Sequence, residues 1–274
     1  MSAPSAPRPD AAALLDLATD AAQRAADLLL DGLGLARTAI ETKSTVTDMV
    51  SEMDRASEEL IVSTLLAARP DDGLVGEEGS ASPGTSGLRW VIDPLDGTTN
   101  YLYGHPGWAV SIAAEDDKGV VAGVVVDPMH GDVFAATRGG GARRNGEPIA
   151  CSALDDVATA LVATGFGYAA ARRRAQAEVL VRLLPRIRDI RRMGAAAVDL
   201  CSVGCGRVDA YFERGLQWWD LAAGGLVAAE AGALVSAIDG GPAGAGAGSI
   251  VAAGPGIFTA LRDLLSSLGA HDVS

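Results

Sequence analysis

The sequence predicts an α+β protein, and three observations carry that expectation. Apolar residues recur at helical spacing through residues 11 to about 31 and again from about 47 to 68. Short apolar runs bounded by Gly and Pro then follow one another with no room for a helix between them. Beyond about residue 150, strand-like and helix-like segments alternate.

Taken in order, the first helix is marked by Leu14, Leu15, Ala18, Ala22, Ala25 and Leu29. The polar stretch Glu41 to Thr45 reads as a loop or short strand. The second helix carries the stripe Val50, Met53, Ala56, Leu60, Leu65, and Pro70 and Gly73 stop it. Strands are expected at Leu74–Gly76, Trp90–Ile92, Ala109–Ala114, Val120–Val126 and Val133–Ala136. Three of them in direct succession favour an antiparallel meander. In the second half, strands are expected at Ala160–Ala163, Val208–Phe212, Leu234–Val235 and Ile250–Ala252. The helices there are Arg172–Leu184, Ala195–Cys205, Leu221–Ala231 and Ile257–Leu268. Residues 1–10 read as a frayed tail. An N-terminal half, 11–150, and a C-terminal half, 151–274, are expected to form one compact unit. Gly240 to Gly248 reads as a connector, because it lacks the spacing of a phosphate-binding fingerprint.

Composition bounds the function. A formal charge of -13 repels nucleic acid and anionic membranes, so neither is expected as a partner. An anionic substrate then needs a local reversal of field, which metal ions on carboxylates supply. Cys151, Cys201 and Cys205 read as small buried residues rather than a disulfide or zinc framework. No apolar run approaches the roughly 20 residues of a membrane span. The start lacks the apolar stretch of a signal peptide, so a reducing cytoplasm is expected.

Three acidic patches concentrate the chemistry. Gly76-Glu77-Glu78-Gly79 follows a strand. Asp93-Pro94-Leu95-Asp96-Gly97-Thr98-Thr99-Asn100 follows another. Trp219-Asp220 opens a helix. Asp93 and Asp96 repel unless cations lie between them, and oxygen-only ligands select hard ions such as Mg²⁺. Gly97 lets the chain turn, so that the Gly97 and Thr98 amides at a helix start suit a phosphate. Each patch also has a plain structural reading: a turn for Asp93–Gly97, a helix N-cap for Asp220, a solvated pair for Glu77 and Glu78.

At these residues the sequence resembles the inositol monophosphatase family. The matching stretches are Gly76-Glu77-Glu78, Trp90 through Tyr101, and Trp219-Asp220-Leu221-Ala222-Ala223-Gly224 leading to Glu230-Ala231-Gly232. The resemblance runs from about residue 11 to 268. It implies a layered αβαβα sandwich like that of fructose-1,6-bisphosphatase. It implies Mg²⁺ ions held by Glu77, Asp93 and the Leu95 carbonyl, and by Asp93, Asp96 and Asp220. A third ion would sit near Glu77. Asp54 and Thr98 would orient the attacking water, with Glu78 close by, and Lys43 and Asp48 match a loop that approaches the site. Gly194, Ala195 and Ala196 resemble the strip that lines the substrate. Glu213 resembles the residue that takes its hydroxyls. Glu77, Leu95, Asp96, Gly97, Thr98 and Asp220 would also meet the substrate. Homodimers and lithium inhibition are common in the family.

The resemblance thus implies hydrolysis of inositol 1-phosphate or a related small polyol phosphate. Histidinol phosphate and fructose 1,6-bisphosphate are the alternatives within the fold, and a non-catalytic regulatory or scaffolding relative is the alternative outside it. Ala195 stands where many relatives carry Ser or Thr. His105 and His130 read as isolated turn residues without a catalytic part.

Overall fold

The computed structural model describes residues 10–39, 46–243 and 248–270, with the side chains of 34–51 outside that description. Glu41–Thr45 and most of the 1–10 tail fall outside it. Asp10 falls inside and is no tail residue: its carboxylate accepts the amide of Ala12 at 3.1 Å and caps the first helix.

Helices α1 (Ala11–Ala39) and α2 (Val46–Ala68) lead into β1 (Gly73–Gly76), β2 (Ala81–Ser82) and β3 (Arg89–Asp96). The short helix α3 (Thr98–Tyr103) precedes β4 (Ala109–Asp116), β5 (Gly119–Asp127), β6 (Asp132–Thr137), β7 (Gly141–Arg144) and β8 (Glu147–Pro148). These eight strands form one sheet in the order β2-β1-β3-β4-β5-β6-β7-β8. From β3 onward it is an antiparallel meander, as expected, while β1 runs parallel to β3.

The second half contributes β9 (Leu161–Thr164), α4 (Ala170–Leu183), β10 (Asp189–Arg191), α5 (Ala196–Gly204) and β11 (Ala210–Arg214). It closes with α6 (Trp218–Glu230), β12 (Leu234–Ser236), β13 (Ser249–Ala253) and α7 (Pro255–Ser267). Its sheet has the order β10-β9-β11-β13-β12, with the first three strands parallel and the last two antiparallel.

The layers follow from what each face buries. Leu14, Ala18, Ala21, Ala22, Ala25 and Leu29 of α1 pack on Trp90, Ile112 and Val124 of the large sheet. Alanine at successive turns lets the helix lie close to the strands. The opposite face of that sheet, through Val91, Ala113 and Val125, meets α5 and α6. Those helices also cover the small sheet through Leu200, Val203 and Leu221 against Tyr211 and Ile250. Glycine makes this central layer thin: a Cβ on Gly224 would meet the Leu200 Cβ at 2.9 Å and the Ala197 carbonyl at 3.0 Å. Helices α4 and α7 close the outer face, with Val179, Leu183, Leu261 and Leu265 on Phe212 and Val251. The result is the αβαβα sandwich that the resemblance implied. Among the described residues no helix is long and apolar enough to cross a membrane.

Candidate active site

Strand ends place the acidic residues. Strands β1 and β3 run parallel with Gly76 beside Ile92, so their C-terminal ends lie together. Glu77, whose amide donates to the Ile92 carbonyl at 3.3 Å, therefore emerges next to Asp93.

Residues three apart on a regular strand point to opposite faces. The pairing of β3 with β4 slips between Asp93 and Asp96, where Pro94 has no N–H to give. This irregularity brings both carboxylates to one cleft. Asp93 is fully buried, and its Oδ1 accepts the Leu95 amide at 3.1 Å. The Asp96 Oδ2 accepts the Ala197 amide at 2.7 Å, at the start of α5.

Gly97 adopts φ 89°, a conformation that side chains disfavour, and turns the chain into α3. A Cβ there would meet the Gly107 carbonyl at 2.7 Å. The Thr98 hydroxyl donates to the Leu95 carbonyl at 3.1 Å. Asp220 opens α6 and accepts the Gln217 amide at 2.6 Å, while the Gln217 side chain returns the bond in a capping box. The N-cap is therefore Gln217 and not Asp220, which is the third helical residue of the capping box and lines the cleft as well.

Glu77, Asp93, Asp96 and Asp220 thus share one open cleft. Leu95, Gly97, Thr98, Gly194, Ala196 and Glu213 line it too. Burial, followed by mutual repulsion with Glu77, Asp96 and Asp220, holds the Asp93 carboxyl far above the usual range. Asp96 is raised likewise, first by burial and then by Asp220, against the bond from the Ala197 amide. Asp220 is raised by burial. Glu77 opens to the cleft, yet the protein around it pushes it up to about 7, with Asp220, Glu78 and Glu58 adding to that. The neighbouring Asp93 carboxyl offsets part of the rise at both Glu77 and Asp220.

Among the described residues no lysine or arginine pairs with any of the four, and the Asp93 Oδ2 is buried with no hydrogen-bond partner. Gathered carboxylates, Asp93 and Asp96 buried and none of the four paired with a described cation, fit a divalent cation. No three acidic, His or Cys side chains among the described residues are already arranged as a metal cage. The cluster is a set of donors in one cleft rather than a finished coordination sphere.

Of the remaining expected residues, Asp54, Glu78 and Ala195 do not line the cleft. Asp54 lies on α2, is 4% exposed and has an Oδ1 without a hydrogen-bond partner. Burial and the charges of Glu77, Glu78 and Glu58 push it up to about 8. Glu78 is not on the cleft wall; its carboxylate stands 3.9 Å from Arg55. Ala195 is buried behind the wall, where its Cβ would face a Cβ on Gly97 at 3.2 Å. Glu213 accepts the Tyr211 hydroxyl at 2.7 Å on Oε2. Burial raises it to about 7, while that bond and the Arg192 charge work the other way. Lys43 and the side chain of Asp48 lie outside the described residues. His130 is not isolated, as expected, but stands 2.7 Å from the buried Asp127 carboxylate.

Sequence reasoning missed the far wall: the loop Gly165–Tyr168, Arg172 and Arg192 also line the cleft. The signal was present, since eight arginines fall between residues 172 and 192 of this acidic chain. It missed Glu58 as well, a buried acid whose two oxygens accept the amides of Glu78 and Ser80.

The chain matches the model of the inositol monophosphatase family over residues 10–268. It is 46% identical over 260 residues to the inositol-1-monophosphatase of Mycobacterium leprae, covering 89% of each chain. It is 38% identical over 259 residues to the Nus factor SuhB of Escherichia coli, covering 92% of this chain and 97% of the relative. Its fold matches Mycobacterium tuberculosis SuhB with a TM-score of 0.80 at 40% identity, over 94% of this chain and 97% of that one. The match to the inositol monophosphatase of Anabaena has a TM-score of 0.84 at 33% identity, with the same coverage.

Proposed function

Because the chain belongs to the inositol monophosphatase family, we infer that it is a Mg²⁺-dependent phosphatase acting on inositol 1-phosphate or a related small polyol phosphate. The observation that carries this reading is the convergence of Glu77, Asp93, Asp96 and Asp220 on one cleft, with no ion pair to a cation among the described residues.

These four carboxylates, with the Leu95 carbonyl, are the groups that would hold Mg²⁺. Bound there, Mg²⁺ would supply positive charge against the phosphoryl oxygens and make water easier to ionise. The chain's own groups do the rest. The first amides of α3, after Gly97, and of α5, at Ala196, have no helical partners of their own and suit phosphoryl oxygens. Thr98 and Asp54 are the pair for the attacking water. The Asp54 Oδ1 lacks a protein partner, and its raised affinity for a proton suits a general base. Tyr211 occupies one oxygen of Glu213 and leaves Oε1 for a substrate hydroxyl. A buried acceptor of this kind rewards a polyol and penalises an apolar leaving group.

Relatives named Nus factors favour a second reading, a regulatory role in place of or beside catalysis. Phosphate release from inositol 1-phosphate, fructose 1,6-bisphosphate, glycerol 2-phosphate and histidinol phosphate, with and without Mg²⁺, separates the two. Mg²⁺-dependent release from the polyol phosphates is expected. Absence of release from all four would leave the regulatory reading, and strong preference for histidinol phosphate would overturn the substrate assignment. Association into homodimers also belongs to this proposal, and sedimentation of the full chain tests it.

A further inference from the structure

Arg172 and Arg192 face the same cleft as the acidic cluster. Among the described residues neither makes a hydrogen bond or an ion pair, although the chain is rich in acids.

Room has been left for both guanidinium groups. A Cβ at Gly167 would fall 2.4 Å from the Arg172 Cδ, and one at Gly215 would fall 2.4 Å from its Nη1. A Cβ at Gly194 would fall 2.4 Å from the Arg192 Nη1. Three glycines on three different segments therefore let two arginines lie along the cleft wall. Arg172 lies against Gly215, two residues beyond Glu213, and the Arg192 charge acts on Glu213 itself. The arginines thus sit on the hydroxyl-binding side, with Glu213, on a strand end of the small sheet. The four carboxylates come from the large sheet and from α6.

We propose that Arg172 and Arg192 form a second anion subsite, so that the preferred substrate carries another phosphate besides the one removed, as a sugar or polyol bisphosphate does. This rests on the phosphatase reading above and narrows its substrate class. Guanidinium groups suit a phosphate because their donors match its oxygens in pairs. A bisphosphate spanning the cleft would place one phosphate at the acidic cluster, its hydroxyls at Glu213 and the other phosphate on the arginines.

The test compares kcat/KM for fructose 1,6-bisphosphate and fructose 1-phosphate at saturating Mg²⁺. The wild-type ratio is expected to exceed one. Arg172→Gln should lower that ratio at least about tenfold, Arg192→Gln should lower it too, and Arg172→Lys should keep part of it. Thermal melting of each variant guards against misfolding. A ratio that stays the same in all three variants, including a parallel fall on both substrates, overturns the subsite. If neither compound releases phosphate, inositol 1-phosphate is tried as well, and the phosphatase reading fails by itself only if that too is left intact. Calorimetric titration of the same proteins with fructose 1,6-bisphosphate and fructose 6-phosphate then decides the subsite: equal affinity for the two compounds in the wild type refutes it, and a bisphosphate preference lost in Arg172→Gln supports it.

Discussion

Glu58 on α2 accepts the amide of Glu78 at 3.0 Å and so fixes the loop that carries Glu77. Its other oxygen takes the amide of Ser80 at 2.9 Å. One turn earlier on the helix is Asp54, and the neighbouring Ser57 hydroxyl donates to the Pro94 carbonyl at 3.0 Å. A single helix face therefore ties down both acidic loops. Glu58→Gln keeps the size but turns an N–H₂ toward an amide donor. Leaving a buried amide unsatisfied costs about 1–3 kcal/mol. A lower melting temperature and a several-fold rise in the Mg²⁺ concentration for half-maximal activity are expected. Unchanged melting and Mg²⁺ dependence would show that the loop holds itself.

The N-terminus of α6 has a tether of its own. The indole N–H of Trp218 donates to the Glu115 Oε2 at 2.9 Å, and Glu115 is held on its other side by Arg89. Trp218→Phe removes one bond to a buried carboxylate, a loss of about 1–3 kcal/mol in stability. Chemical denaturation measures it. The Mg²⁺ dependence should move less than in Glu58→Gln, because the Gln217–Asp220 capping box stays in place.

Acidity of the cleft gives a pH signature in the metal-free protein. Asp54 rises from 3.8 to about 8, and Glu77 and Glu213 from 4.5 to about 7. Across that window the folded protein binds more protons than the unfolded chain, so stability falls as pH rises. The contribution is complete below about pH 4 and is lost by about pH 8. Melting scans with EDTA should show a falling melting temperature from pH 5 to 8, apart from general acid effects at lower pH. Adding Mg²⁺ should raise it most at the alkaline end, where more carboxylates are free to bind the ion. A melting temperature that climbs from pH 5 to 8 without metal contradicts the raised proton affinity described for these acids.

Two substitutions in the central motif should separate metal binding from chemistry. Asp93→Asn removes the carboxylate that neighbours both Glu77 and Asp220, and turnover should nearly vanish. Thr98→Ala removes a hydroxyl whose present partner is the Leu95 carbonyl. It should lower kcat while leaving the Mg²⁺ dependence nearly intact. Near-normal turnover in Asp93→Asn is incompatible with the proposed reaction.

Glu213→Ala tests the hydroxyl-binding role. Glu213 lines the cleft and accepts the Tyr211 hydroxyl on one oxygen. The variant should lose discrimination between inositol 1-phosphate and a simple aryl phosphate, seen as converging kcat/KM values. An equal loss on both substrates would make Glu213 structural only.

Much of this was legible in the chain because periodicity and chemistry were local. The stripes of α1 and α2, the runs that became β3, β4 and β5, and the acidic motifs are each written within a few neighbouring residues. What escaped was set by distant partners. Strands β2, β7, β8 and β10 are two to four residues long, and segments such as Arg143-Arg144 and Glu147-Pro148 have no apolar pattern. They are strands only because an edge was waiting for them. Glu58 looks like any polar helix residue until the loop from 78 to 80 folds onto it. Arg172 and Arg192 stand 20 residues apart, on α4 and beyond β10, and only the small sheet brings both to the cleft. The slip in β3 that turns Asp93 and Asp96 to one side is likewise invisible in a pattern of period two.

The decisive measurement is Mn²⁺ binding to the metal-free protein, followed by electron paramagnetic resonance in the wild type and in Asp93→Asn and Asp96→Asn. Saturable binding in the wild type, lost or weakened at least about tenfold in both variants, is the expected result. Binding that is absent, or that survives both substitutions unchanged, would mean that the acidic cleft is not where the cation sits.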